Sequence, residues 1–313
     1  MGQISHTFTK EIIDKMTYFY EDNTEKSPQG AIFRARTDNA IITAYHSGKV
    51  LFQGKNPTEE AAIWTTFTNE TNEQVTFKET QPQMNNPYSP PANFFTSSHI
   101  GSDESGTGDY FGPVTAAAVY VETSQIDALK KLGIQDSKAI NDETIIKLAT
   151  KLAEMKIPYS SMVIPNEKYN EIQQNGWTQG KMKAMIHQGV IESLLNKLGP
   201  VNSEGILIDQ FCQPPVFINH IEREGKTLAP NTYFITKAET HSIAVAAASV
   251  LARYRFITEM DKISDMVGMP ILKGASNKVD QQIAQIIQAH GREMLPKIAK
   301  VHFANTEKAE KYL

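Results

Sequence analysis

The chain carries two hydrophobic patterns separated by a polar, proline-bearing stretch. Over residues 7–20, Phe8, Ile12, Ile13, Met16 and Phe19 or Tyr20 recur at helical spacing, which predicts an amphipathic helix. Three short β-like runs follow at 31–36, 41–45 and 49–52, with Asp38-Asn39 and Ser47-Gly48 between them. Turn residues at those positions predict antiparallel hairpins. Asn56-Pro57 then opens a second helix through Trp64 to about residue 67, with asparagine as cap and proline in the first turn. Together these elements predict a small α+β domain over residues 1–70.

Residues 71–92 are polar and include Pro82, Pro87, Pro90 and Pro91, a composition that predicts an extended linker. Phe94-Phe95 marks the return to packed structure and opens a second domain, 93–313. Here helix and strand patterns alternate. The apolar run 114–121 reads as a strand, and Asn141 caps a helix whose inner side carries Ile145, Ile146, Leu148, Leu152 and Met155. A strand with an early proline covers 157–164. A long helix places Met182, Met185, Ile186, Val190, Leu194, Leu195 and Leu198 in the core. Short strands at 206–209 and 233–236 complete a mixed sheet flanked by helices, an α/β layer architecture. The alanine-rich stretch 244–253 predicts a helix able to lie very close to that sheet.

Composition narrows the class. No apolar run reaches the length of a membrane span, and the first residues lack a basic segment followed by an apolar one. The single cysteine, Cys212, excludes an internal disulfide and suits a reducing cytoplasm; a buried thiol is expected. A net charge of −4 is unusual for a protein that grips phosphates, because such proteins carry a basic footprint. The charge is reconciled if clustered acids are neutralised by cations. Arg34, Arg36, Lys49 and Lys55 are the basic candidates in the first domain.

The most telling segment is Ser102-Asp103-Glu104-Ser105-Gly106-Thr107-Gly108-Asp109. Adjacent side chains on a regular strand point to opposite faces. For Asp103 and Glu104 to serve one site, the strand is expected to end or distort there, which Gly106 and Gly108 permit. The alternative is a solvated turn. Two later segments shift the balance. The run 205–209 stops on Asp209, at the end of a strand, where α/β proteins gather functional side chains. Glu239 stands just before the alanine-rich helix, where the helix dipole favours an anion.

Four close carboxylates would raise one another's pKa unless hard cations neutralised them. Mg²⁺ and Mn²⁺ prefer oxygen ligands, and no Cys or His spacing suggests zinc. Two such ions about 3.5–4 Å apart suit phosphodiester hydrolysis. The Gly106-Thr107-Gly108 turn offers backbone N–H groups to a phosphate and an approach to a ribose 2′-hydroxyl. Lys237, beside Glu239, is a further phosphate contact or a partner for the acids.

Asp103-Glu104-Ser-Gly-Thr-Gly-Asp-Tyr-Phe-Gly-Pro, then Asp136-Ser137-Lys138, the strand ending on Asp209, and Thr236-Lys237-Ala238-Glu239 before an Ala-Ala-Ala-Ser helix resemble the type 2 ribonuclease H superfamily. The glutamate as fourth acid and the threonine between glycines resemble bacterial ribonuclease HIII more narrowly. The resemblance implies a ribonuclease H-like sheet with a TATA-binding-protein-like first domain that holds substrate. It implies a metal-dependent endoribonuclease cutting the RNA strand of an RNA–DNA hybrid, leaving 3′-hydroxyl and 5′-phosphate ends and preferring stretches of ribonucleotides. Asp103, Glu104 and Asp209 are expected to hold Mg²⁺ or Mn²⁺, with Asp103 bridging two ions and Glu239 on the water side. Gly106, Thr107, Gly108, Ser137, Lys138 and Lys237 are the expected substrate contacts. A cytoplasmic monomer is expected. The alternatives are a non-catalytic hybrid-binding protein and a nuclease of the same fold acting on DNA.

Overall fold

The computed structural model describes residues 2–20, 23–37, 39–65, 87–134, 140–200 and 203–313. The chain divides into two compact units, Met1–Met84 and Asn85–Leu313.

The first unit runs β1 (Gly2–Thr7), α1 (Lys10–Phe19), β2 (Thr24–Glu25), β3 (Ala31–Arg36), β4 (Ala40–Tyr45), β5 (Lys49–Gly54) and α2 (Pro57–Thr65). Its antiparallel sheet has the order β1-β5-β4-β3-β2. The helical face expected from Phe8, Ile12, Ile13 and Met16 is buried. Phe8 meets Phe52 edge-on and Tyr20 approaches Phe33, so the sheet and the α1 region share one core. Inside it, the Tyr20 hydroxyl donates to Glu60 Oε1 at 2.7 Å and Trp64 Nε1 donates to the Tyr20 oxygen at 2.8 Å. Strand β1 has no counterpart among the elements that the sequence pattern predicts. It is an edge strand with only Ile4 and His6 half-buried, so its sequence lacks a strong apolar alternation.

Residues 71–86 of the expected linker lie outside the described residues. Tyr88, within the remaining stretch, is already packed: Phe234 N–H donates to its carbonyl at 2.9 Å, and the two rings meet edge-on at 6.1 Å.

The second unit continues with β6 (His99–Ser105), β7 (Val114–Val121), α3 (Ile126–Lys131), α4 (Asp142–Glu154), β8 (Tyr159–Ile164), α5 (Asn166–Gln174), α6 (Gln179–Leu198), β9 (Ile206–Asp209), α7 (Pro214–Glu222), β10 (Thr232–Ile235), α8 (Ile243–Val267), α9 (Asn277–His290), α10 (Leu295–Ile298) and α11 (Asn305–Lys308). The sheet order is β10-β9-β6-β7-β8. β6, β7 and β8 form an antiparallel meander, while β9 and β10 lie parallel to β6. One face packs α4 and α8, and the other packs α6 and α7.

α8 lies unusually near the sheet for a local reason. Ala244, Ala246, Ala247 and Ala248 are buried, and Gly101 of β6 faces the helix backbone. A Cβ on Gly101 would stand 2.2 Å from Val245 N. Small side chains on both surfaces bring β6, with its acids, directly beneath the start of α8.

The expectation that β6 ends or distorts at the acids is corrected. It pairs without interruption with β7, Asp103 opposite Ala117, Glu104 opposite Ala116 and Ser105 opposite Thr115. Continuous pairing places Asp103 and Glu104 on opposite faces.

Candidate active site

Asp103 looks toward α8. It is 5% exposed, its Oδ1 accepts the Glu104 N–H at 2.7 Å, and Ser249 of α8 supplies a side-chain hydrogen bond. Asp209 ends β9 one residue past the register pair Ser102–Ile208, level with Asp103 and on the same face. Burial, then the charges of Asp209 and Glu104, push the Asp103 carboxyl well above the usual carboxylate range; Ser249 and the Glu104 N–H offset this in part. Like charges gathered on a buried acid are chemistry that a divalent cation relieves.

Glu239 arrives from a third segment. β10 pairs with β9 so that Ile235 stands beside Asp209. Lys237 then takes a left-handed conformation at φ +55°, and a 3-10 turn, Ala238–Thr240, leads into α8. The Ala238 N–H donates to Asp209 Oδ1 at 2.8 Å, which ties the turn to the strand end. Glu239 is buried in that turn, whereas Lys237 is exposed. Ser242 caps α8 by accepting the Val245 N–H, and His99 Nε2 holds the Ser242 hydroxyl at 2.7 Å.

Glu104 looks the other way, toward α6. Lys183 Nζ meets its Oε1 at 2.6 Å and His187 Nε2 meets its Oε2 at 2.7 Å. His187 Nδ1 pairs with the Ser102 hydroxyl at 2.7 Å. Phe211, just past β9, stacks on His187 and lies 4.1 Å beneath Lys183 Nζ. Burial opposes the Glu104 charge, yet Lys183 and His187 outweigh it and hold the carboxyl down at about 2. The order Ser102–His187–Glu104 has the connectivity of a nucleophile triad, but Ser102 and His187 are fully buried. No substrate reaches that hydroxyl, so the relay orients Glu104.

Among the described residues, no three Asp, Glu, His or Cys side chains are grouped closely enough to hold an ion. Asp103 and Glu104 diverge across the sheet, and Lys183 holds the latter. The donors themselves fit a hard cation: Asp103 and Asp209 share a face, and Glu104 is within electrostatic reach of Asp103.

The glycine loop follows at once. Gly106 has φ +88°, and a Cβ there would meet Pro113 O at 2.3 Å; at Gly108 a Cβ would meet nothing within 4 Å. Gln179 Nε2 donates to the Thr107 carbonyl at 2.8 Å. Beyond the loop, the buried Lys300 ammonium donates to the carbonyls of Asp109 and Gly112, and Asn166 Nδ2 also donates to Gly112 O. Ser137 and Lys138, with Asp136, lie outside the described residues.

In the first unit, Arg34 and Arg36 are both paired with Glu25, while Lys49 and Lys55 are exposed. Sequence reasoning missed Lys183, His187 and Gln179 because α6 reads as a core helix. The available signal was a lysine and a histidine four residues apart on a helix otherwise lined with Met, Ile and Val. Cys212 is buried among the apolar residues beside α6 and α7, as expected. Among the described residues, no helix is long and apolar enough to cross a membrane.

Residues 100–306 match the Ribonuclease HII family, and residues 3–76 match a Domain of unknown function (DUF3378). The chain is 53% identical to Ribonuclease HIII of Oceanobacillus iheyensis over 313 residues, covering 100% of each chain. It is 46% identical to Ribonuclease HIII of Bacillus cereus over 303 residues, 96% of each. A crystal structure of Bst-RNase HIII in complex with Mn2+ superposes with a TM-score of 0.69 at 37% identity, covering 99% of this chain and 98% of that one. The ribonuclease H2 from Pyrococcus horikoshii shares the fold at 20% identity and a TM-score of 0.57, over 69% of this chain and 98% of its own.

Proposed function

The chain belongs to the ribonuclease HIII family, and from that premise we propose that it hydrolyses the RNA strand of RNA–DNA hybrids endonucleolytically. The observation that carries this reading is the pairing of Asp103 with Asp209 at the carboxyl ends of neighbouring parallel strands, beside a glycine turn and the buried Glu239.

Asp103, Glu104 and Asp209 are the residues that would hold Mg²⁺ or Mn²⁺. Bound there, the ions supply charge neutralisation, an activated water and a stabilised leaving oxygen. The chain's own groups do the rest. Asp209 is fixed by the Ala238 N–H, so its position is set before substrate arrives. Glu239, buried in the turn bonded to Asp209, would assist on the side of the attacking water. The Gly108 backbone is open to a ribose, and Lys237 stands exposed beside Glu239. Lys138 is the proposed phosphate contact in the Asp136-Ser137-Lys138 segment, with Ser137 a further substrate contact. Inversion at phosphorus by water with departure of the 3′-oxygen gives a 3′-hydroxyl and a 5′-phosphate.

The first domain, residues 1–70, is assigned to hold the hybrid, with Lys49 and Lys55 as its exposed basic candidates. A cytoplasmic monomer completes the reading.

The test is cleavage of an end-labelled hybrid, an RNA duplex and a DNA duplex in Mg²⁺, Mn²⁺ or EDTA. RNA-strand cuts in the hybrid, dependent on metal, are expected. Cleavage of the DNA duplex would point instead to a DNA nuclease on this fold. Hybrid binding without cleavage in either metal would point to a binding protein.

A further inference from the structure

We propose that Lys183 competes with the divalent cation for Glu104, acting as a built-in counter-ion that must give way when metal binds. The inference rests on the assignment of Glu104 as a metal ligand.

Each oxygen of the Glu104 carboxylate already has a close partner. Lys183 takes Oε1 at 2.6 Å and His187 takes Oε2 at 2.7 Å. The two partners differ in what holds them. His187 is completely buried, stacked on Phe211 and bound at its second nitrogen by Ser102. It has nowhere to go. Lys183 sits on the same helix face one turn earlier, and its side chain is 15% exposed. A lysine stem with four rotatable bonds at the edge of solvent can swing away, whereas the histidine cannot.

Charge supplies the reason for the exchange. An ammonium and a divalent cation sharing one carboxylate would repel each other at close range in a partly buried site. Binding metal at Oε1 therefore requires Lys183 to release it. In the cation-free state the ammonium serves the opposite purpose: it neutralises one of three acids that would otherwise repel across β6 and β9. Lys183 thus lowers the affinity for metal while offsetting the repulsion among the acids.

The test is calorimetric titration of the full-length protein with Mn²⁺, without nucleic acid. Lys183→Met keeps the stem and removes the charge, and it is expected to lower the Mn²⁺ Kd about tenfold. Lys183→Arg, which keeps the charge and can grip the carboxylate with two N–H groups, is expected to bind Mn²⁺ no more tightly than wild type. Glu104→Gln is the control on the underlying assignment. If Glu104→Gln leaves Mn²⁺ affinity unchanged, Glu104 is no ligand and the metal reading of that residue fails. If Glu104→Gln weakens binding but Lys183→Met does not tighten it, the competition alone is overturned.

A second measurement needs no variant. Acetylation of Lys183 by acetic anhydride, read by mass spectrometry, is expected to rise at least about threefold when Mg²⁺ saturates the protein, because the released amine is more accessible. Equal labelling with and without Mg²⁺ would also overturn the proposal.

Discussion

Asp209 accepts the Ala238 N–H at 2.8 Å, so the acid that ends β9 also anchors the turn carrying Glu239. Position and charge at this residue are separable. Asp209→Asn keeps an oxygen to accept that N–H but loses the charge. The expected result is loss of hybrid cleavage by at least about 100-fold, with a Tm within about 2 °C of wild type. Asp209→Ala removes both, and should cost about 1 kcal/mol of stability as well. Kinetics and thermal melts of the two variants side by side check this. Cleavage by Asp209→Asn at the wild-type rate would remove Asp209 from the chemistry.

The close approach of α8 to β6 makes Gly101 the most size-restricted position near the site. Its Cβ would collide with backbone, at 2.2 Å from Val245 N and 2.3 Å from Ala244 C, where no side-chain rotation gives relief. Gly101→Ala is expected to destabilise the catalytic unit by about 3 kcal/mol, lowering its melting midpoint by roughly 5–10 °C. A melt unchanged from wild type would show that α8 can shift away freely.

Much of this was readable beforehand, and the limits have physical causes. The alanine-rich run announced a helix lying near the sheet, and Gly101 shows how near. The strand end at Asp209 and the turn before Glu239 followed from local patterns alone. The expectation of a broken strand at Asp103-Glu104 failed because it assumed both side chains must share one face, whereas β6 runs straight through. What decides the fate of Glu104 is Lys183, 79 positions later in the chain. A long-range ion pair leaves no periodic trace, and the core residues around Lys183 and His187 hid them. Strand β1 escaped for the opposite reason: half-exposed edge residues bury too little to show a pattern.

The glycines of the loop separate folding from substrate reading. At Gly106 a Cβ would strike Pro113 O and the Phe256 ring, and the backbone sits at φ +88°. At Gly108 the space is open. Gly106→Ala is therefore expected to lose stability, by about 2 kcal/mol, together with activity. Gly108→Ala is expected to melt like wild type, yet to raise KM for the hybrid about fivefold or more if backbone meets ribose there. A Gly108→Ala enzyme with wild-type KM would exclude that contact.

Lys300 offers a prediction in pH. It is fully buried, its ammonium donating to the Asp109 carbonyl at 2.7 Å and the Gly112 carbonyl at 2.5 Å. Burial pulls its pKa down to about 7, with Asp109 offsetting this only in part. In the unfolded chain a lysine titrates near 10.4. Between those values the unfolded state binds more protons than the folded one, so stability contributed through Lys300 rises with pH. Below about pH 7 both states are protonated and the slope vanishes. Lys300→Met has no such titration. The stability of wild type relative to Lys300→Met should therefore grow from pH 7 to pH 9, by up to about 1.4 kcal/mol per pH unit. Guanidinium unfolding of both proteins at pH 6, 7, 8 and 9 measures the gap. A gap that stays flat above pH 7 would mean that Lys300 keeps its proton, and that the two carbonyls hold the ammonium strongly enough to offset its burial.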